Sequence, residues 1–106
     1  MSGNDVIMTR TCKVQRSARE NPIDLKIDFF RPGPDGEGAF ASTSRIHCEY
    51  FDRSFRTIGE DEVQAFTLLL DITKIYLETQ RDHHGYLIYW EVPGDLEIKD
   101  FWRYKV

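Results

Sequence analysis

What the 106-residue chain lacks bounds it first. No run approaches 18 consecutive apolar residues, so no segment is expected to span a membrane. The first ten residues, Met1 to Arg10, hold neither a basic stretch nor an apolar one. That predicts a chain without an export signal, resident in the cytoplasm. Cysteine is scarce: there are only Cys12 and Cys48, with no C-x-x-C and no Cys/His ligand spacing, so no metal site is expected. Basic excess is absent too. The formal net charge is −4, which argues against a binder of nucleic-acid phosphates. G-x-G occurs at Gly36 and Gly38, but between two expected strands and without the third glycine of a dinucleotide loop. A hairpin loop is the better reading of that segment.

What is present suffices for one folded unit. Hydrophobic residues make up 41% and aromatic residues 13% of the chain, enough for a core without staples. Residues 1–106 therefore read as a single domain, with 1–4 expected to be disordered.

The chain alternates with a period of two over Asp5 to Arg16, where Val6, Met8, Cys12 and Val14 share one parity, and more cleanly over Ile23 to Arg31. Both predict half-buried strands. Both cysteines fall at inward strand positions and read as small core residues, with a cross-strand disulfide open if their strands are neighbours. Arg31 to Gly38 holds two prolines and three glycines and predicts a loop. Ala39 to Phe51 predicts a third strand and Asp52 to Ile58 a connection. Glu60 to about Gln80 predicts a long helix, stopped near Gly85. Tyr86 to Val92, apolar on both parities, predicts a strand that is central or covered on both faces. Pro93-Gly94 predicts a turn and Leu96 to Tyr104 a last strand. The expectation is an α+β fold: an antiparallel sheet of four to five strands packed on one long helix, in the order β-β-β-α-β-β.

The helix entrance is well marked. Either Gly59 or Asp61 serves as N-cap, with Glu62 or Gln64 respectively at the third helical position. Its wheel is unusual. Glu60, Gln64, Thr67, Asp71, Lys74 and Glu78 form one narrow polar stripe, and apolar residues span roughly 240° of the remainder, against the 100° or somewhat more that seals a helix to one sheet. A second flank therefore needs cover. Two sources stay open: the chain itself (the loop at 31–40, Phe55, Phe101 and Trp102) or another protein surface.

Catalytic constellations are not found. His83 and His84 are adjacent rather than one helical turn apart, and they read as cations at the helix C-terminus. His47 and Cys48 are strand neighbours and point to opposite faces. No catalytic, cofactor-binding or metal residues are assigned. The terminal aromatics with Arg103 and Lys105 interleaved are a weak base-stacking candidate, since residues 59–106 carry five basic and ten acidic side chains.

The segment Gly59-Glu-Asp-Glu-Val-Gln-Ala65 resembles a G-x-D-x-x-Q-A motif at a helix start in a family of small uncharacterised bacterial domains, with Gly59, Asp61, Gln64 and Ala65 matching. The resemblance implies no activity. Composition is also similar in kind to that of immunity proteins, which block bacterial toxins. The sequence thus points to a non-catalytic binding protein that contacts another protein, as a homodimer or with a heterologous partner. Leu68, Ile72, Ile75, Tyr76, Trp102 and Tyr104 are the expected apolar anchors, with Glu78 and Asp82 as rim charges. The alternative is a small-molecule binder or enzyme with a pocket between helix and sheet, lined by Phe66, Tyr86 and Trp90.

Overall fold

The computed structural model describes residues 5–90. Its elements are β1 (Val6–Gln15), β2 (Ile23–Phe30), β3 (Gly33–Pro34), β4 (Phe40–His47), β5 (Asp52–Gly59), α1 (Glu62–His84) and β6 (Leu87–Tyr89). All strand pairs are antiparallel and form a six-stranded sheet. Because β5 runs along one whole side of β4, β2 and β3 must share the other side. The sheet then continues through β1 to β6. The fold is α+β, with one helix on the sheet, as the alternation and the helical wheel implied.

Several details differ from the sequence reading. Asp52 to Ile58 is not a connection but an eight-residue strand, paired with β4 from Phe40↔Gly59 to His47↔Asp52. Gly33–Pro34 makes a two-residue ladder with β4 inside the expected loop. The helix is 23 residues long and runs to His84, a turn beyond Gln80. Among the described residues five strands precede it, rather than three. Of the strand expected over Tyr86 to Val92, Leu87–Tyr89 is formed beside β1, with Leu87 exposed and no second strand neighbour among the described residues. The expected Pro93-Gly94 turn and the strand Leu96 to Tyr104 lie outside the described residues.

The core follows the strand parity. Cys12, Val14, Leu25, Ile27, Phe29 and Ile46 are buried on the helix side of the sheet, with Leu69 and Leu77 descending from α1. Below the helix the floor is polar. The Thr73 hydroxyl donates to the Leu69 carbonyl at 2.6 Å, so its bond to Ser44 Oγ at 3.0 Å is one that Ser44 donates. The neighbouring Ser42 hydroxyl is buried and has no partner among the described residues.

Cys12 is paired with Leu25, and Cys48 follows His47, the partner of Lys26. The two thiols therefore flank the β2 strand, two spacings of about 4.8 Å apart, too far for a disulfide. Both are free. Burial pushes the Cys12 thiol up to about 12, which keeps it protonated and inert.

The helix entrance accounts for every residue of the G-x-D-x-x-Q-A segment. Asp61, not Gly59, is the N-cap: its Oδ1 accepts from the Gln64 amide at 2.7 Å. The Gln64 side chain reaches back to accept from the Glu60 amide at 2.6 Å, a variant of the capping box. Ala65 is fully buried, and its carbonyl accepts from the Thr57 hydroxyl of β5 at 2.6 Å. Gly59 is buried against this turn, where a Cβ would lie 2.5 Å from the Ala65 nitrogen. The motif is thus a strand-to-helix corner. Asp61→Ala is expected to cost about 1 kcal/mol of stability by urea denaturation, the usual loss for an emptied cap.

At the far end Gly85 adopts the left-handed conformation, with φ 74°. Its N–H donates to the Arg81 carbonyl at 3.2 Å, the bond of an αL stop, and the Tyr86 N–H donates to the Gln80 carbonyl at 3.1 Å.

Candidate functional site

The helix lies over β4 and β5, and its two flanks face different surroundings. On the flank toward β1 and β2, Phe66 meets Phe29 edge-on at 5.6 Å between ring centres. A cavity of about 380 Å³ lies there, lined by Met8, Thr9, Arg10, Phe29, Phe66 and Leu70. Phe66 was expected to line such a pocket. Tyr86 and Trp90 do not belong to its described wall. Tyr86 stacks on Tyr50 at 5.7 Å and meets Phe51 at 5.3 Å, while Trp90 lies under the Arg10 guanidinium at 4.8 Å.

On the flank toward β5, Tyr76 packs edge-on against Phe55 at 5.3 Å and Phe51 at 5.9 Å. It is half-buried, and that burial raises its hydroxyl above the usual tyrosine range. Tyr76 is therefore already packed in part within the domain. Phe55 covers the helix as the sequence allowed, but only this far. Beyond it Leu68, Ile72 and Ile75 are 43%, 37% and 53% exposed. At about 100° per residue these three fall within about 60° of one another, so they form one apolar stripe. Among the described residues the helix is thus sheltered on one flank and, at this stripe, open on the other. Of the two sources of cover that the sequence left open, Phe55 supplies part; Phe101 and Trp102 lie outside the described residues.

The expected rim charges divide. Glu78 is half-buried beside the stripe, while Asp82 is exposed and held by Arg81 in a two-point bond at 2.7 and 3.1 Å. Trp102 and Tyr104 lie outside the described residues.

The opposite face of the sheet is a polar ladder. Lys13 bonds Asp24 at 2.6 Å, and Arg45 grips Asp52 at 2.9 and 2.6 Å. Between them Asp28 accepts from Thr9 at 2.7 Å and meets His47 Nε2 at 2.9 Å. The carboxylate stands between hydroxyl and imidazole, so the ring is not placed to take a proton from Thr9. Partial burial pushes the Asp28 carboxyl up, but the bonds from Thr9 and His47 outweigh it and hold it below the usual aspartate range. A depressed carboxyl contributes stability that is fully present above its unfolded value and is lost as pH falls through the folded one. Asp28→Asn is expected to cost about 1.5 kcal/mol at neutral pH and to flatten the acid side of the stability profile, read from urea midpoints below about pH 4.

The glycine-rich turn between β3 and β4 satisfies its own amides. Asp35 Oδ1 accepts from Glu37 and Ala39 at 2.7 and 3.0 Å, so the turn offers its backbone to a carboxylate of its own. Among the described residues no group of three His, Cys, Asp or Glu is arranged to hold a metal, and no helix is long and apolar enough to cross a membrane.

Sequence reasoning missed Arg53 and Arg56, because it missed β5. The inward face of that strand carries Arg53, Phe55, Thr57 and Gly59, opposite Ile46, Ser44, Ser42 and Phe40. Only Phe55 among the four is strongly apolar, so the period of two left no hydrophobic trace. A charged inward residue is itself a mark of an edge strand.

The features together define a small α+β domain in which one helix packs on an antiparallel sheet and keeps an exposed apolar stripe. The chain belongs to the family described as Domain of unknown function (DUF6968), which matches residues 8–99. No curated protein and no solved structure matches it.

Proposed function

We propose that this domain is a non-catalytic protein–protein interaction module of a bacterial cytoplasm, either an immunity-type inhibitor or a subunit of a homodimer. The observation that carries the reading is the stripe of Leu68, Ile72 and Ile75, exposed along α1 beside Glu78. Apolar side chains aligned on a rigid helix are suited to bury against a partner, and leaving them in water brings no folding benefit. Glu78 and Asp82 frame the stripe as rim charges, and Trp102 and Tyr104 are further anchors. The test replaces Leu68, Ile72 and Ile75 together by glutamine. The fold is expected to survive, because each side chain already meets solvent, while self-association or a co-purifying partner is lost. A variant that keeps every association of the parent chain defeats the reading.

The cavity between α1 and the sheet favours a second reading, a small-molecule binder. Its volume of about 380 Å³ falls within the range of ligand pockets, and its wall is mostly apolar. A thermal shift with a metabolite, abolished by Phe66→Trp, is the result that this reading requires.

A further inference from the structure

β5 is the outermost strand on its side of the sheet, and among the described residues its outer edge has no strand partner. An eight-residue edge presents a row of backbone donors and acceptors ready for another strand. The stripe of Leu68, Ile72 and Ile75 overhangs this same edge, because the helix residues beside it, Ala65 and Tyr76, are the ones that touch Thr57 and Phe55. One surface thus combines an open ladder with an apolar ledge. We infer that β5 pairs antiparallel with β5 of a second copy of this chain, about a two-fold axis through Ser54.

The charges of the strand favour a second copy as occupant and one register in particular. Asp52, Ser54 and Arg56 lie on the outer face of the sheet, opposite His47, Arg45 and Thr43, while Arg53 and Phe55 face the helix side. Pairing about Ser54 sets Asp52 opposite the partner subunit's Arg56, and by symmetry twice. It also sets Arg53 opposite the partner subunit's Phe55, the type of contact Arg53 already makes with its own Phe55 at 5.2 Å. Opposite charges across an antiparallel pair attract and like charges repel. A slip of one residue toward the C-terminus puts Arg53 opposite Arg56, and centring on Arg53 or Arg56 puts like charges face to face. The charges that guard the edge against arbitrary strands are therefore complementary to themselves in this register. The two helices then lie beside the axis, and each apolar stripe meets its copy.

This dimer deepens the interaction reading and rests on it. Sedimentation equilibrium of the full chain at micromolar concentration is expected to give twice the chain mass. Arg56→Asp, on an exposed side chain, is expected to raise the dimer dissociation constant at least tenfold by placing like charges opposite. Ser54→Cys in a Cys48→Ser background is expected to form a disulfide-linked dimer with glutathione disulfide as oxidant, since the two thiols meet at the axis. A dimer that ignores Arg56→Asp and does not cross-link overturns the inference. So does a monomer. If that monomer has a co-purifying partner that the triple glutamine variant loses, the broader reading stands without the dimer. If it has none, both fall.

Discussion

Gly59→Ala is expected to destabilise the domain by about 3 kcal/mol, at the upper end of ordinary overpacking. The added methyl would sit 2.5 Å from the Ala65 nitrogen, 2.9 Å from its Cα and 3.0 Å from the Gln64 carbonyl carbon. All three atoms belong to the backbone of the first helical turn, which is held by the Asp61 cap and by the Thr57 bond to Ala65. No flexible side chain can yield, so relief means lifting the helix start away from β5. The cost is one of contact, not of dihedral angle, since Gly59 is not among the residues with positive φ. Gly85 provides the contrast. A Cβ there meets nothing within 4 Å, but φ is +74°, so Gly85→Ala is expected to cost only about 1 kcal/mol. Urea midpoints of the two variants measured together separate the two mechanisms. Against a total stability of about 5–15 kcal/mol, the first change consumes a large part.

Leu69→Ala and Leu68→Ala, one residue apart, are expected to differ in cost by at least about 2.5 kcal/mol. Leu69 is fully buried in the core with Ile46 and Phe29, and its truncation leaves a hole bounded by the rigid sheet. The expected loss is about 3 kcal/mol. Leu68 points out on the β5 flank and is 43% exposed. Its truncation is expected to change the stability of the isolated chain by no more than about 0.5 kcal/mol. Should the concentration dependence of unfolding vanish in Leu68→Ala while the dilute-limit stability stays put, the side chain acts between chains.

Much of this fold is legible in the residues, and the parts that are not share a cause. β2 is readable because Leu25, Ile27 and Phe29 alternate with Asp24, Lys26 and Asp28. The helix is readable from its caps at Asp61 and Gly85 and from Leu69 and Leu77 facing the sheet. β5 escapes because an edge strand at the rim of a small core needs only Phe55 to seal its inner side. β3 escapes because two residues cannot show a period at all. The excess of apolar residues around α1 was visible on the wheel, but what covers each flank was not. Pairing partners such as Phe66 with Phe29 and Tyr76 with Phe55 come from tertiary placement, which spacing along a chain does not encode.

The two thiols on either side of Leu25 have a further consequence. Separated by a whole strand, they leave an oxidising medium nothing to staple within one molecule. The durability of the isolated fold therefore rests on exclusion of water from its interior, and the redox poise of its surroundings does not tune it through an internal cross-link.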